Sequence, residues 1–241
     1  MAEETNSPAT ELIDHCCKTM KENEEFLHRN ANETYREVID LINDAIDLIG
    51  FVIKREKSME DYAKRSMIFF LYHILMSSSY AIYTDLLIGN LPACFMELRL
   101  MLESMAKCYL ADLKYPKQSF FGEKLELLLK ETKEKNGKKA GKREYDFLEE
   151  FDKKVKLDRK SIKLWSKLSK DWVHTKGVVD RIVGQISEKS TPPPWALVIP
   201  MNYAMADLDA INELGKRVSQ FREILKVTIE NCKQEFSSEK V

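Results

Sequence analysis

The sequence predicts an all-α fold, a bundle of about seven helices built around a long antiparallel pair at residues 59–89 and 91–114. Only eight glycines and seven prolines interrupt the 241 residues, which favours long helices over many short strands. Apolar residues make up 44% of the chain and recur at spacings of three and four, the period of a helix with one buried face. The length suits one large domain, which we divide into an N-terminal helical extension at 1–31 and a bundle domain at 32–241.

Residues that start and stop helices define the first half of the bundle. Pro8 predicts a helix start, because proline is favoured in the first turn. A second helix is predicted over 32–57, where isoleucines keep the helical period. Ser58 begins a sequence that resembles a capping box, and the helix it starts is predicted to end at Gly89. Because Pro92 starts the next helix at once, the two long helices should be antiparallel neighbours.

Weaker patterns follow in the second half. Helices are predicted over about 119–133, around 145–151, and over 158–174. Residues 178–200 contain three consecutive prolines and are predicted to form an extended connection. A short strand at 196–200 stays open as an alternative, limited by the prolines on either side.

The last predicted helix covers about 203–234 and carries a continuous apolar seam. The seam residues alternate at spacings of three and four, as in a coiled coil: Ile211, Leu214, Val218, Phe221, Leu225, Thr228 and Cys232. This helix is longer than the average helix of a globular protein. We therefore expect part of it, with Phe221 and Leu225, to pack against a second subunit and form a homodimer.

Charge is unevenly distributed along the chain although the formal net charge is only −1. Residues 1–61 carry 15 acidic and 7 basic side chains, whereas residues 130–170 carry 15 basic and 8 acidic ones. The total charge therefore directs the protein to no particular class of partner, but the basic middle of the chain can attract an anionic one.

Cysteine usage and the apolar segments predict a cytoplasmic protein. The five cysteines are odd in number and show no paired spacing, which indicates reduced thiols. The first residues are acidic and do not resemble a signal peptide. Residues 66–84 lack formal charge and are nearly long enough to span a membrane. Their histidine, serines and tyrosines favour a buried helix of a soluble bundle instead, so no membrane contact is predicted.

A stripe of basic residues on the helix at 158–174 is the strongest functional signal. At about 100° per residue its members fall on one face, opposite an apolar face. These members, which we call the lysine ladder, are Lys160, Lys163, Lys167 and Lys170, with His174 at the end. Such a ladder is either a binding surface for phosphate groups or an ordinary solvated face. Among these positive charges a neutral imidazole is favoured, so His174 is either a general base or a helix-end contact.

A second stripe lies on the helix at 91–114, where Arg99, Glu103 and Lys107 follow at intervals of four residues. Arg99 borders the densest apolar arc of this helix and should be half-buried with Glu103 as its partner. The pair can be structural, setting the register of the helix, or functional, and both readings stay open. If it is functional, Arg99 and Glu103 should face a cleft shared with His174.

Other chemistry has no signature in the chain. There is no zinc-binding spacing, no glycine-rich phosphate loop, and neither a G-x-S-x-G nor an H-E-x-x-H motif. His73 lies in the uncharged run and is interpreted as a core histidine. No metal or cofactor is predicted.

Taken with Leu98-Arg99-Leu-Met-Leu-Glu103 and Leu168-Ser-Lys-Asp-Trp-Val-His174, the helix pair at 69–110 resembles the HEPN-like helical bundles of prokaryotes, in an uncharacterised branch. The resemblance covers about half the chain. Many such proteins are metal-independent ribonucleases or toxins, often dimeric, whose motif is an Arg followed after four to six residues by a His. This chain departs from that motif, since only Lys167 is basic at the matching spacing and lysine does not replace arginine.

The resemblance therefore implies an RNA-directed protein, and a metal-independent endoribonuclease of a defence or toxin system as the narrower expectation. His174 would be the acid/base, Arg99 the phosphate contact from another helix and Glu103 its orienting partner. The lysine ladder would hold the RNA backbone. The alternative is a non-catalytic helical protein that dimerises or binds a protein partner.

Overall fold

A computed structural model describes residues 7–55, 58–136, 140–170 and 200–238. These residues form helices and no strand, which confirms the all-α prediction. The helices are α1 (Pro8–Asn30), α2 (Asn32–Arg55), α3 (Met59–Lys64), α4 (Ser66–Phe69), α5 (Met76–Leu87), α6 (Leu91–Lys114), α7 (Phe121–Asn136), α8 (Ala140–Val155), α9 (Lys160–Leu168) and α10 (Leu208–Ser238). A π-helical segment, Phe70–Leu75, joins α4 to α5, and a 3₁₀ turn, Met205–Asp207, precedes α10.

Helices α5 and α6 form the antiparallel pair that the sequence predicts. The Cys94 thiol of α6 donates to the carbonyl of Ile82 in α5, at 3.5 Å. Helix α6 is buried on most of its surface, and α4, α5, α7, α8, α9 and α10 all contact it. Helix α6 is therefore the central helix of the bundle, and the side chains that pack against it position the neighbouring helices.

The predicted helix at 59–89 is interrupted at Arg65, which has an extended backbone and separates α3 from α4. The Asp112 carboxylate, on α6, accepts the backbone N–H groups of Ser66 and Met67 at 2.9 and 3.0 Å and so starts a new helix there. This partner lies 46 residues away in the chain, which local sequence patterns cannot indicate. The break and the π-helical segment together divide the predicted helix at 59–89 into three α-helices, α3, α4 and α5.

The side chain of His73, in the π-helical segment, is exposed and forms a hydrogen bond with the Tyr62 hydroxyl. The prediction of a core histidine is therefore wrong. A π-helical turn shifts the register of the following side chains relative to a regular α-helix, which the three-and-four spacing does not capture.

Helix α10 carries the predicted seam, but the seam is buried within the chain itself. Phe221 and Leu225 are fully inaccessible to solvent, as are Ile211 and Val218. The expectation that Phe221 and Leu225 contact a second subunit is therefore wrong, because the bundle needs these side chains for its own core. A 31-residue helix is accommodated by packing against α2, α6, α8 and α9 in turn.

An ion-pair cluster fixes α10 against α2. The Arg222 guanidinium donates to Asp44 and Glu37 at 2.7 Å each and to Asp40 at 3.1 Å. Burial acts to lower the pKa of Arg222, but the hydrogen bonds to Asp44 and Glu37 outweigh it and raise the pKa. Arg222 thus stays charged although its side chain is only 12% exposed, and it compensates the three carboxylates around it.

The chain returns to the bundle just before α10 by pairing with the end of α5. The Met201 N–H donates to the carbonyl of Ile88 at 3.0 Å, and the Asn23 side chain of α1 donates to the carbonyls of Leu87 and Met201. Gly89, which follows, has a φ of 79°, and a Cβ added to it would lie 2.2 Å from the Met201 carbonyl oxygen. Glycine is required here by both the backbone angle and the close approach.

Residues 66–87 form, among the residues described, one helical stretch long and apolar enough to cross a membrane by length and composition. In its most apolar window, 44% of the residues are buried inside the bundle. A core helix of a soluble protein passes the same test. The five cysteines, all among the described residues, form no disulfide. Burial, with the nearby Asp112 carboxylate, raises the pKa of the Cys108 thiol, which disfavours its reactive thiolate form.

We predict that Gly89→Ala destabilises the fold by at least about 1 kcal/mol, because a side chain is strained at positive φ and would collide with the Met201 carbonyl. Chemical denaturation monitored by circular dichroism measures this loss. Gly122→Ala is the matched control, since nothing lies within 4 Å of a Cβ there. The control should be neutral or slightly stabilising. Equal stability of the two variants would contradict the close-approach argument.

Candidate nucleic-acid interface on helix α9

Helix α9 begins after a strained connection that fixes its orientation. Lys156, Asp158 and Arg159 all have positive φ, between 48° and 61°, while Leu157 between them is buried. Arg159 occupies the N-cap position but provides no side-chain cap. Non-glycine residues adopt this conformation only where the surrounding contacts enforce it. The start of α9 is thus determined by tertiary structure.

The missing cap is supplied by α8. The Asp152 carboxylate, which is only 4% exposed, accepts the backbone N–H groups of Ser161 and Ile162 at 3.1 and 3.2 Å. A carboxylate at the positive end of a helix dipole is stabilising, more so when it is shielded from water. Asp152 therefore anchors the first turn of α9 to α8, just as Asp112 anchors α4 to α6.

The four lysines of the ladder are all exposed, as their spacing predicts. Lys160 forms an ion pair with Glu223 of α10 at 3.3 Å, with both side chains more than half exposed. Lys163 donates to the Asp158 carbonyl at 3.5 Å. Within the described part of the chain, no carboxylate pairs with Lys163, Lys167 or Lys170. Lys163 and Lys167 lie one turn apart on α9, and Lys170 follows in a short π-helical stretch. No carboxylate of the described residues neutralises their charges.

The ladder belongs to a larger basic surface formed by residues 153–170. This segment contains eight basic residues and one acidic residue, and all eight basic side chains are exposed. Lys153 makes an exposed pair with Glu149 at 3.6 Å, a contact of little energetic weight. The positive charge of the segment is therefore largely uncompensated, which makes it the most electropositive continuous stretch of the described chain.

Arg99 and Glu103 form the predicted ion pair, with 2.7 Å between Arg99 Nε and Glu103 Oε1 and side-chain exposures of 23% and 17%. The Trp165 indole N–H of α9 donates to the same oxygen at 2.7 Å. The guanidinium carbon of Arg99 lies 5.3 Å from the centre of the Trp165 ring, in a cation–π arrangement. We call these three side chains the Arg99–Glu103–Trp165 clamp, and it joins α9 to α6.

The clamp and the lysine ladder lie on opposite faces of α9. Lys163 and Lys167 are each two residues from Trp165, and such positions point about 160° apart on an α-helix. Since Trp165 points toward Arg99 and Glu103, the lysines point away from them. The structure therefore does not bring Arg99 and the ladder into one cleft. His174 lies outside the described residues, so its position relative to either group is a prediction still.

Lys107, the third member of the stripe on α6, pairs with another helix. Its ammonium group lies 2.9 Å from Glu144 Oε2 of α8 and 5.9 Å from the centre of the Phe147 ring. Stripe residues thus join α6 to two different neighbours, α8 and α9. This arrangement favours the structural interpretation of the Arg99–Glu103 pair, in which it holds α9 in register.

Sequence reasoning missed Trp165 and Asp152 as the residues that position α9. Trp165 has a detectable signal, because an indole on an apolar face needs a hydrogen-bond acceptor when it is buried. Asp152 has none, since an aspartate near the end of a lysine-rich helix looks like any surface carboxylate. Among the residues described, no cluster of three or more His, Cys, Asp or Glu side chains is arranged to hold a metal ion.

Comparisons with known proteins do not assign the chain to a family. No family model matches the chain, and neither a curated protein nor a solved structure matches it. The likeness to HEPN-like bundles therefore remains a prediction from sequence.

A double-mutant cycle tests the clamp. We predict that Trp165→Phe, which keeps a ring but removes the N–H donor, and Glu103→Ala each lower the free energy of unfolding by roughly 1–2 kcal/mol. Because both remove the same hydrogen bond, the double variant should lose less than the sum of the two, with a coupling of at least about 0.5 kcal/mol. Urea titrations of the four proteins measure this. Additive losses would show that the indole and the carboxylate do not interact.

Proposed function

We propose that this protein is an HEPN-like, RNA-directed protein of the cytoplasm that holds the RNA backbone on α9. The observation that carries the proposal is the basic surface of residues 153–170, with eight exposed basic side chains against one acidic residue. Phosphate groups dominate the affinity of nucleic-acid-binding proteins, and lysines contact them without reading sequence. RNA is the polyanion that the HEPN-like resemblance implies.

The geometry of the ladder supports a linear polyanion as its ligand. Residues three and four apart on an α-helix have Cβ atoms about 5–6 Å from each other, so Lys163 and Lys167 offer neighbouring positive charges along the helix axis. Lys170 continues this row in the π-helical stretch that follows α9. The clamp holds the opposite face of α9 and the Asp152 cap holds its first turn, so neither contact uses an ammonium group of the row. Because the backbone of α9 is already held in place, binding to this row costs little further backbone entropy.

Metal-independent cleavage in a defence or toxin setting is the narrower proposal, with His174 as the acid/base. Arg99 and Glu103 then act as positioning residues, because they contact the inner face of α9 through Trp165. This differs from the phosphate-contact role that the family resemblance implies for Arg99. The ladder lysines, which are close to His174 in the sequence, then stabilise the negative charge of the transition state.

A non-catalytic helical interaction protein is the second candidate. The observation that favours it is the uncovered apolar surface of α1 and α2, where Leu12, Ile13, Ile46 and Ile53 are all at least 45% exposed. In that case the lysine ladder is a solvated face.

Salt-dependent binding distinguishes the two candidates. For single-stranded RNA, the slope of log affinity against log salt should fall by about 0.7 for each lysine removed from a phosphate contact. We therefore predict a slope reduced by about 1.4 for Lys163→Ala with Lys167→Ala, with similar weakening for unrelated RNA sequences. Fluorescence anisotropy across a salt series measures this slope.

Glu223→Gln should increase the slope, since it frees Lys160 from its ion pair.

The matched control for the lysine variant is Lys18→Ala with Lys21→Ala, which makes the same change of charge on exposed residues of α1. This control should leave the slope nearly unchanged. No RNA binding by the wild-type protein at moderate salt, or equal loss in both double variants, would reject the α9 interface and favour the interaction protein.

His174→Ala tests cleavage separately from binding. We predict that it abolishes cleavage of single-stranded RNA in the presence of a chelator, and that it leaves affinity within about twofold, since one neutral imidazole adds little to a row of phosphate contacts. Gel analysis of end-labelled RNA provides the readout, with the exposed His15→Ala as control. A wild-type protein that binds RNA without cleaving it would restrict the function to binding.

A further inference from the structure

One aromatic side chain contacts the basic surface around α9. The Arg159 guanidinium donates through Nη2 to the Tyr145 hydroxyl of α8, at 2.9 Å. Arg159 is exposed, and Tyr145 is partly buried with its ring against the core. The other aromatic residues of the described parts of α8 and α9 serve the bundle, since Phe147 and Phe151 are buried and Trp165 belongs to the clamp. Tyr145 is therefore the aromatic ring that lies next to the charges of this surface.

Arg159 stands in line with the lysine ladder. Its carbonyl accepts the Lys163 N–H at 3.0 Å, a bond of regular helical spacing. Arg159 thus precedes Lys163 by one turn, just as Lys163 precedes Lys167, and positions four apart lie on the same side of a helix. The row of positive charges therefore continues to Arg159 and ends beside the Tyr145 hydroxyl.

The contact leaves the positive charge of Arg159 in place, because a neutral hydroxyl and not a carboxylate accepts its hydrogen bond. A guanidinium group is planar and can stack on a flat ring, which a lysine ammonium group cannot do. The start of α9 thus differs from the rest of the ladder. It presents two flat groups together with a charge, whereas the ladder lysines present charge alone.

These two kinds of group correspond to the two parts of a nucleotide. Lysines contact phosphates without reading bases. Unpaired bases stack on aromatic rings and on guanidinium planes, and proteins that bind single strands combine a positive row for the backbone with aromatic side chains for the bases. A duplex offers no free base face to such a group within its length, since its bases are stacked on one another.

We propose that Tyr145 and Arg159 bind an unpaired base of a single-stranded RNA whose backbone follows the lysine ladder. This inference rests on the proposed function, the binding of RNA on α9, and adds the class of RNA that is bound. The lysines provide affinity for phosphate groups in general. Tyr145 and Arg159 are the specificity-determining residues that favour a single strand carrying bases. Because stacking uses the face of the base, this contact accepts any of the four bases.

Three labelled RNA probes of equal length separate base contacts from phosphate contacts: single-stranded oligouridylate, an abasic strand with the same phosphates, and a duplex. Fluorescence anisotropy measures their binding to the full-length protein. The wild type should bind oligouridylate on the order of tenfold more tightly than the abasic strand, the effect of about one stacked base. Tyr145→Leu should remove this preference, while its affinity for the abasic strand and the duplex, and its salt slope, should stay unchanged.

Three control variants assign the effect to the flat groups. Tyr145→Phe keeps the ring and should keep most of the preference. Arg159→Lys keeps the charge but not the planar group, so it should reduce the preference at an unchanged salt slope. Lys163→Ala with Lys167→Ala should weaken binding of oligouridylate and of the abasic strand by the same factor, so that the preference remains. Circular dichroism checks the fold of each variant, and the exposed Arg159 provides the test if Tyr145→Leu lowers the helical content.

Two results would overturn this inference alone. One is equal affinity of the wild type for oligouridylate and the abasic strand, with both affinities lowered in the double lysine variant. The other is a preference for oligouridylate that survives in Tyr145→Leu and in Arg159→Lys. Failure of the wild type to bind any of the three probes would instead overturn the proposed function, and this inference with it.

Discussion

Helix α6 is buried on most of its surface, and most of the charges that it carries are paired. Charges removed from water are costly unless a partner compensates them. The pairs that result join α6 to its neighbours: Arg99 to α9 through the clamp, Lys107 to Glu144 of α8, and Asp112 to Lys124 of α7 at 2.8 Å as well as to the start of α4. The polar groups of the central helix thereby determine the arrangement of the bundle around it, while its apolar groups supply the core.

Local patterns were sufficient for most of the fold. The helix period located α2, α6 and α10, and Gly89 marked the turn of the central pair because both its backbone angle and its packing exclude a side chain. The patterns failed where a distant group controls the backbone. The break at Arg65 depends on Asp112, and the solvent-exposed His73 lies in a π-helical segment, which three-and-four spacing does not indicate. The α10 seam was recognised correctly as apolar, but its spacing cannot distinguish the chain's own core from a subunit interface.

In the candidate site, too, contacts between residues close in sequence could be predicted, whereas contacts between helices could not. Spacing alone placed the lysines on one exposed face and gave Arg99 its partner Glu103, since both statements concern residues within a turn or two of each other. That Trp165 completes the clamp, and so turns the ladder away from Arg99, is a property of how α9 docks on α6. A composite site drawn from two helices requires their relative rotation. Periodicity within each helix does not contain that information.

Helix α9 carries its contacts with the bundle on one face and its exposed lysines on the other. Helix α9 is fixed by Trp165, by the buried Asp152 cap and by the strained connection before its first turn. Each of these contacts costs free energy, either through backbone strain or through removal of a polar group from water. These contacts hold α9 in place against the mutual repulsion of its exposed lysines, which by itself favours a looser arrangement. A ligand carrying closely spaced negative charges relieves that repulsion. The rigidity of the inner face and the repulsion on the outer face are the two features on which our proposal of a polyanionic ligand for α9 rests.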